Sequence, residues 1–381
     1  MNKVLVPKES LPGETRVAAT PETVARLTKL GLALEVQSGA GVASYFSDDA
    51  YREAGATVVE RASPDGPALV AKVQPPTPDE ARAYPSRTVL LSHVMATANR
   101  DLVRVLCERE ITCFAMELVP RISRAQPMDA LSSQATVAGY KAVILAALHL
   151  PKMCPLLMTA AGTVKPARAV IFGAGVAGLQ AIATARRLGC AVEATDVRLA
   201  AKEQVESLGA RFIDVPGMED MEDEGGYAKE AGQDFLRRQR EEVAKRVAVA
   251  DIVITTALVP GRPAPKLVSE ELVRSMRAGS VIVDLAVESG GNCELSVPGE
   301  VVERHGVTIV GLKNLPASVP ADASNLYAKN VLALLRLMVG DEKNLKIDFE
   351  DEVLAGCLLT RDGAVAHEQT KKLLDGAETK A

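Results

Sequence analysis

The sequence has no tryptophan, and aromatic residues make up only 3% of its 381 positions. That scarcity argues against surfaces that hold nucleic acid by stacking bases on rings. An excess of positive charge is lacking too: 44 Lys and Arg are scattered among 49 Asp and Glu, a net charge of −5, so neither nucleic acid nor another polyanion is implied as a partner. The six cysteines (Cys107, Cys113, Cys154, Cys190, Cys293 and Cys357) form no C-x-x-C pair and lie in apolar or strand-like surroundings. Reduced, buried thiols in a cytosolic protein are expected, and no metal site is assigned. No run of eighteen apolar residues occurs, and the best candidate, AVILAALHL, is short and carries His149. The N-terminus, MNKVLVPKE, enters a strand without a signal-peptide pattern, so a chain with no membrane span of its own is expected.

Apolar residues, in contrast, reach 48%, ample for the two cores that a chain of this length needs. The most informative stretch is Ala169 to Asp196, AVIFGAGVAGLQAIATARRLGCAVEATD. An apolar strand meets Gly173, Gly175 and Gly178 in G-x-G-x-x-G spacing, a helical segment opens at Val176, and a second strand ends at Asp196. Gly173 permits the tight turn, Gly175 lets backbone N–H groups approach a pyrophosphate, and Gly178 lets the helix pack close to the sheet. The phosphates then meet the positive end of the helix. Asp196, eighteen residues past Gly178, is placed to accept hydrogen bonds from the adenosine ribose and to repel a 2′-phosphate, favouring NAD over NADP. Val197 follows it, and Arg198 has the chemistry to accept a 2′-phosphate, which pulls the other way.

Strand signals recur at 3–6, 33–37, 57–60, 68–73, 88–93 and 111–116, with helical segments near 48–54 and 99–109, so the first domain reads as a parallel α/β sheet. Thr20 and Pro21 mark the start of a helix and Gly31 its end. From Ser133 to His149 an Ala-rich helix leads onward, and MTAAGTVKPARA is either an exposed hairpin serving a dimer or a plain linker. Strands at 169–172, 191–195, 211–214, 251–255, 281–285 and 307–310 supply the six of a doubly wound sheet. A helix over 322–339 leads out, residues 345–381 return to the first domain, and the polar tail from Glu368 is expected to fray. The fold class is therefore α/β: two Rossmann-like domains, with the dinucleotide domain (136–326) inserted in the first (1–135 and 327–381).

Several loops carry candidate chemistry. Residues 121–135, RISRAQPMDALSSQA, present Arg121, Gln126, Asp129 and Ser132, the donors and acceptors that fix a carboxamide; alternatively Asp129 caps the following helix. Residues 216–230 hold an acidic run, then Gly225, Gly226 and Tyr227, and read either as a lid over nucleotide or as an acidic surface loop. Ala257 and Leu258 in TTALVPG, and Asp284 and Asn292 in VDLAVESGGNCE, follow strand ends, where ligands of open α/β sheets bind. Lys72 and His93 at apolar strands, with Arg16, form a set that an amino-acid dehydrogenase would use to clamp, polarise and protonate its substrate. Equally, Arg16 pairs with a carboxylate, Lys72 reaches solvent and His93 is simply hydrogen-bonded.

Taken together, VPKESLPGETRVAATPETV, RISRAQPMDALSSQA, GAGVAGLQAIATARRLG, GGYAKE, TTALVPGRPAPKL and GSVIVDLAVESGGNCE resemble the NAD(H)-binding component of proton-translocating nicotinamide nucleotide transhydrogenase over nearly the whole chain. The resemblance implies direct hydride transfer between NADH bound here and NADP⁺ on a partner subunit, coupled to proton movement through a membrane-spanning subunit. It also implies a nicotinamide-holding loop at Arg121, Gln126, Asp129 and Ser132, a loop tyrosine at Tyr227, a ribose-binding acid at Asp196 and a homodimer. A separate polypeptide, cytoplasmic and peripheral to the cytoplasmic membrane, is expected because the chain ends at Ala381. The related alanine dehydrogenases resemble the same scaffold, and Arg16, Lys72 and His93 match their pattern.

Overall fold

The first strand, Lys3–Val6, buries Val4, Leu5 and Val6, the apolar continuity of a parallel strand covered on both faces. This is a computed structural model, and it describes residues 2–61, 66–214, 233–258, 263–340 and 342–378. The chain divides into one unit of residues 1–134 with 317–381 and another of 135–316.

In the first unit, six parallel strands lie in the order Thr57–Val59, Ala33–Gln37, Lys3–Val6, Leu69–Ala71, Val89–Ser92 and Thr112–Ala115. Two antiparallel strands, Leu358–Arg361 and Ala364–Val365, extend the sheet beyond Thr112–Ala115. The sequence pattern assigns the C-terminal segment to this domain without strands. The segment in fact supplies an edge, because buried Leu358, Leu359 and Thr360 continue the core of the sheet. The expected fraying past Glu368 is also corrected, since Glu368–Glu378 is a helix. Helix Pro21–Lys29 begins where the Thr20 N–H donates to the Thr23 hydroxyl at 2.9 Å, and Gly31 ends it at φ +90°.

The second unit has the doubly wound order: Arg211–Phe212, Ala191–Thr195, Arg168–Phe172, Ile252–Thr255, Val281–Asp284 and Val307–Val310, all parallel. A seventh strand, Val301–Arg304, pairs antiparallel at the edge. Its exposed, charged pattern hid it from a reading based on apolar runs. Leu157–Thr159 and Gly162–Val164 do form a hairpin, closed at Ala160–Ala161. The six cysteines are free thiols, four buried and two half-buried, and burial pushes that of Cys357 up to about 12.

Among the described residues, Ala130–His149 is the one helix long and apolar enough by composition to cross a membrane. Within 135–316, its Ala142, Val143, Leu145 and Ala146 pack into the core around Ala181 and Ile182, as a core helix does. Close approach depends on Gly139, where a Cβ would lie 2.1 Å from the Ala177 carbonyl oxygen. Backbone cannot yield as a flexible side chain does. Gly139→Ala is therefore expected to destabilise this unit by about 2 kcal/mol and lower its melting temperature by about 5 °C. An unchanged calorimetric melt would show that the two helices separate freely.

Candidate functional site

The strand Arg168–Phe172 ends in Gly173 at φ +93°, a conformation that L side chains rarely adopt. The Thr256 hydroxyl donates to the Phe172 and Gly173 carbonyls at 3.0 and 3.3 Å, holding the turn against the adjoining strand end. Gly178, in the first turn of helix Val176–Arg187, approaches so closely that a Cβ would lie 1.8 Å from the Gly173 carbonyl oxygen. At Gly175, by contrast, a Cβ would meet nothing within 4 Å. That open ground faces the helix N-terminus, where the first N–H groups lack intrahelical partners. Val176, the first helical residue, is exposed there. A cradle with one tight glycine on each side and an open one between fits a pyrophosphate.

Asp196 closes the next strand and is tied to this turn. Its Oδ2 accepts from the Ala174 N–H at 2.7 Å, while Oδ1 accepts from the Arg198 N–H at 2.9 Å. The Arg198 guanidinium also donates to both oxygens, Nε to Oδ1 at 3.0 Å and Nη2 to Oδ2 at 2.9 Å. Burial opposes the ionised carboxylate, but the Arg198 and Ala174 bonds outweigh it and lower the Asp196 pKa. Val197 between them is half-buried.

The remaining strand ends of this unit join the same network. Asp284 is buried and accepts from the Thr255 and Ser296 hydroxyls at 3.1 and 2.7 Å, and from the N–H groups of Ala286, Asn292 and Cys293 at 3.0 to 3.2 Å. Asn292, also buried, mimics a peptide: Oδ1 accepts from the Ala257 N–H at 3.0 Å, and Nδ2 donates to the Ala257 and Pro265 carbonyls at 2.9 and 2.8 Å. Leu258 beyond it is exposed. Thus Gly173, Gly175, Val176, Gly178, Asp196, Val197, Arg198, Ala257, Leu258, Asp284 and Asn292 all lie at the carboxyl end of one sheet. Asp284 and Asn292 spend their hydrogen bonds on the backbone that carries the others. The candidates Gly226 and Tyr227 lie outside the described residues.

In the first unit, the polar loop follows the strand Thr112–Ala115 and holds a 3₁₀ segment, Ser123–Met128. Asp129 caps the helix after it, accepting from the Ser132 N–H at 2.8 Å and from the Ser132 hydroxyl at 2.5 Å. Arg121 and Gln126 are exposed. Two supports hold the loop from behind: Asn330 donates to the Pro127 carbonyl at 2.8 Å and accepts from Ser133 at 2.7 Å, and Arg124 grips Asp351 through two nitrogens at 2.8 and 3.1 Å. Sequence reasoning missed these supports, as it missed Thr256. A polar residue at a buried helical position was the available signal for Asn330, but its partners lie about two hundred residues away.

Arg16, Lys72 and His93 are all buried in this unit. Arg16 donates to Glu14 through Nε at 2.8 Å and Nη2 at 2.7 Å, and through Nη1 to Gln134 at 2.8 Å. Lys72 does not reach solvent; it lies 3.5 Å from Glu9 and 3.4 Å from Glu80. His93 Nδ1 stands 3.6 Å from Glu117, and its ring lies 5.5 Å from that of Tyr327. Burial pushes Glu9 up in spite of Lys72, whereas at Glu14 burial is overcome by Arg16 and the pKa falls to about 2. A carboxyl depressed in the folded state stabilises above its unfolded pKa, and that contribution is lost as pH falls from about 4.5 toward 2. Glu14→Gln is expected to cost on the order of 3 kcal/mol at neutral pH, with the gap to the parent chain closing toward pH 2 in urea melts. A gap independent of pH would deny the ion pair its role.

A model of the alanine dehydrogenase/PNT N-terminal domain matches residues 5–138, and one of the C-terminal domain matches residues 142–368. An NAD(P) transhydrogenase subunit alpha chain of Rhodospirillum rubrum is 53% identical over 375 residues, covering 96% of this chain and 98% of that protein. The alanine dehydrogenase of Bacillus subtilis is 30% identical over 372 residues, covering 95% of this chain and 92% of that one. Among solved structures, a transhydrogenase from Sinorhizobium meliloti superposes with a TM-score of 0.88 at 47% identity, covering 95% of this chain and 99% of the other. With both domain models matched and identity much higher to the transhydrogenase subunit than to the alanine dehydrogenase, the chain belongs to the alanine dehydrogenase/PNT family and groups with its transhydrogenase alpha subunits.

Proposed function

We propose that this chain is the NAD(H)-binding catalytic component of a proton-translocating NAD(P)⁺ transhydrogenase. Hydride passes directly between NADH held here and NADP⁺ on a partner subunit, with Si/Re stereochemistry, and a membrane-spanning subunit couples the transfer to proton movement. The chain then sits on the cytoplasmic side, peripheral to the membrane through its partners. One observation carries the choice over an alanine dehydrogenase. Arg16 has Nε, Nη1 and Nη2 engaged by Glu14 and Gln134, and Lys72 lies between two carboxylates, so the groups needed to clamp a keto acid are spent inside the chain.

In this reading, Gly173, Gly175 and Gly178 with Val176 hold the pyrophosphate, and Asp196 with Val197 and Arg198 meets the adenosine ribose. Ala257 and Leu258 cover the nucleotide, on a loop that Asn292 and Asp284 keep in place. The bound nicotinamide supplies the hydride. No proton has to be given or taken by a side chain, so the task left to the protein is orientation and exclusion of water. Arg121, Gln126 and the Asp129–Ser132 pair orient the carboxamide, and Tyr227 with Gly226 closes over the site on the strength of the resemblance alone.

A homodimer is proposed as well. The helix Ala130–His149 and the hairpin after it leave Tyr140, Leu148, Met153, Leu156 and Met158 exposed, with Leu148 at 74% and Met158 at 78%. Such an apolar patch is more than a monomer ordinarily shows to water.

Transfer from NADH to an NADP⁺ analogue should appear only when the NADP(H)-binding partner is added, and not with pyruvate and ammonium. Gln126→Asn or Asp129→Asn should slow that transfer by about 100-fold while NADH affinity stays within about threefold. Equal losses in both would remove the orienting role, and partner-independent oxidation of NADH with pyruvate and ammonium would return the chemistry to Lys72 and His93. Joint replacement of Leu156 and Met158 by Asp is expected to convert a sedimenting dimer to a monomer; sedimentation unchanged by the double variant would place any dimer elsewhere.

A further inference from the structure

Rossmann sites accept NAD or NADP according to what meets the 2′ position of the adenosine ribose: a carboxylate for the hydroxyl, an arginine for the phosphate. This chain carries both within three residues, Asp196 and Arg198. Their geometry settles the conflict. The guanidinium presents its fork to the carboxylate, Nε to Oδ1 at 3.0 Å and Nη2 to Oδ2 at 2.9 Å, and the Arg198 N–H adds a third bond at 2.9 Å. The Asp196 side chain is only 7% exposed and that of Arg198 18%, so water screens the pair poorly. Two carboxylate oxygens offer this fork the same spacing that two phosphate oxygens would offer.

Resting on the reading that this turn binds NAD(H), we infer that Arg198 is a latent 2′-phosphate ligand which Asp196 holds out of use, so that the pair sets the preference for NAD. Asp196 then acts twice: its charge repels a 2′-phosphate, and its grip withholds the one nearby cation shaped to bind it. Ala174 explains why the acid is also kept for structure, since its N–H rests on Oδ2 at 2.7 Å. Asp196→Asn retains an oxygen for that N–H while removing the charge that holds Arg198.

The test is fluorescence titration of the full chain with NADH and with NADPH, in four forms: parent, Asp196→Asn, Arg198→Ala and the double variant. The parent is expected to bind NADH and to reject NADPH. Asp196→Asn should raise NADPH affinity by at least about tenfold, and the double variant should lose that gain while melting at the same temperature as Asp196→Asn. Arg198→Ala alone should leave NADPH rejected, because Asp196 still repels it. No gain in Asp196→Asn, or a gain that survives removal of Arg198, overturns the inference while leaving NAD(H) binding intact. A parent chain that binds no NADH overturns the underlying reading as well. Should Asp196→Asn fail to fold, Asp196→Ser removes the same charge and carries the same comparison.

Discussion

Everything in the dinucleotide half hangs on how closely helix Val176–Arg187 can approach the strand it follows. The Gly173 carbonyl occupies the place where a Cβ on Gly178 would be, 1.8 Å from that oxygen. Only with that side chain missing does the helix N-terminus come down onto the turn with its unpaired N–H groups over the open ground at Gly175. The rest of the site is built outward from this contact. Thr256 pins the turn from one side and Asp196 from the other, and Asn292 and Asp284 brace the loop that begins at Ala257. Each brace is a buried polar group whose bonds go to main chain, which is how a loop gains the rigidity of a strand end.

The other half solves an electrostatic problem. Burying Arg16, Lys72, Glu9 and Glu14 together is costly unless each charge finds a partner, and here they find one another. The depressed Glu14 carboxyl and the elevated Glu9 carboxyl mark the two extremes of that balance: one meets a guanidinium at two points, the other a lysine at 3.5 Å. Saturation of this kind leaves little to offer a substrate. The neighbouring loop does the reverse, anchoring its backbone through Asn330, Arg124 and Asp129 while Arg121 and Gln126 stay exposed. Hydride transfer between two nicotinamides asks for this combination of fixed backbone and presented polar groups, and for no acid or base.

The two Rossmann-like sheets, the glycine turn and the acid at the end of its second strand were legible in the sequence because each rests on local rules. Apolar runs of strand length, glycines at set spacing and cap residues such as Thr20 and Asp129 act within a few residues of themselves. Where the structure departed, the signal was weak or distant. Val301–Arg304 is a charged edge strand that buries almost nothing, Leu358–Arg361 joins a sheet begun at Lys3, and Asn330 supports a loop about two hundred residues earlier.

Residue identity by itself determined that the chain has a dinucleotide turn, which residues supply its carboxylate and its arginine, and which families it resembles. Only the tertiary structure decided how those groups are spent. Arg16, Lys72 and His93 read equally well as a substrate clamp or as satisfied core residues, and Asp196 and Arg198 as opposing claims on one ribose. Packing answered both, because a buried charge takes the nearest partner that the fold provides. Glu14 and Glu9 stand beside Arg16 and Lys72, and Asp196 beside Arg198, at distances that no sequence spacing states.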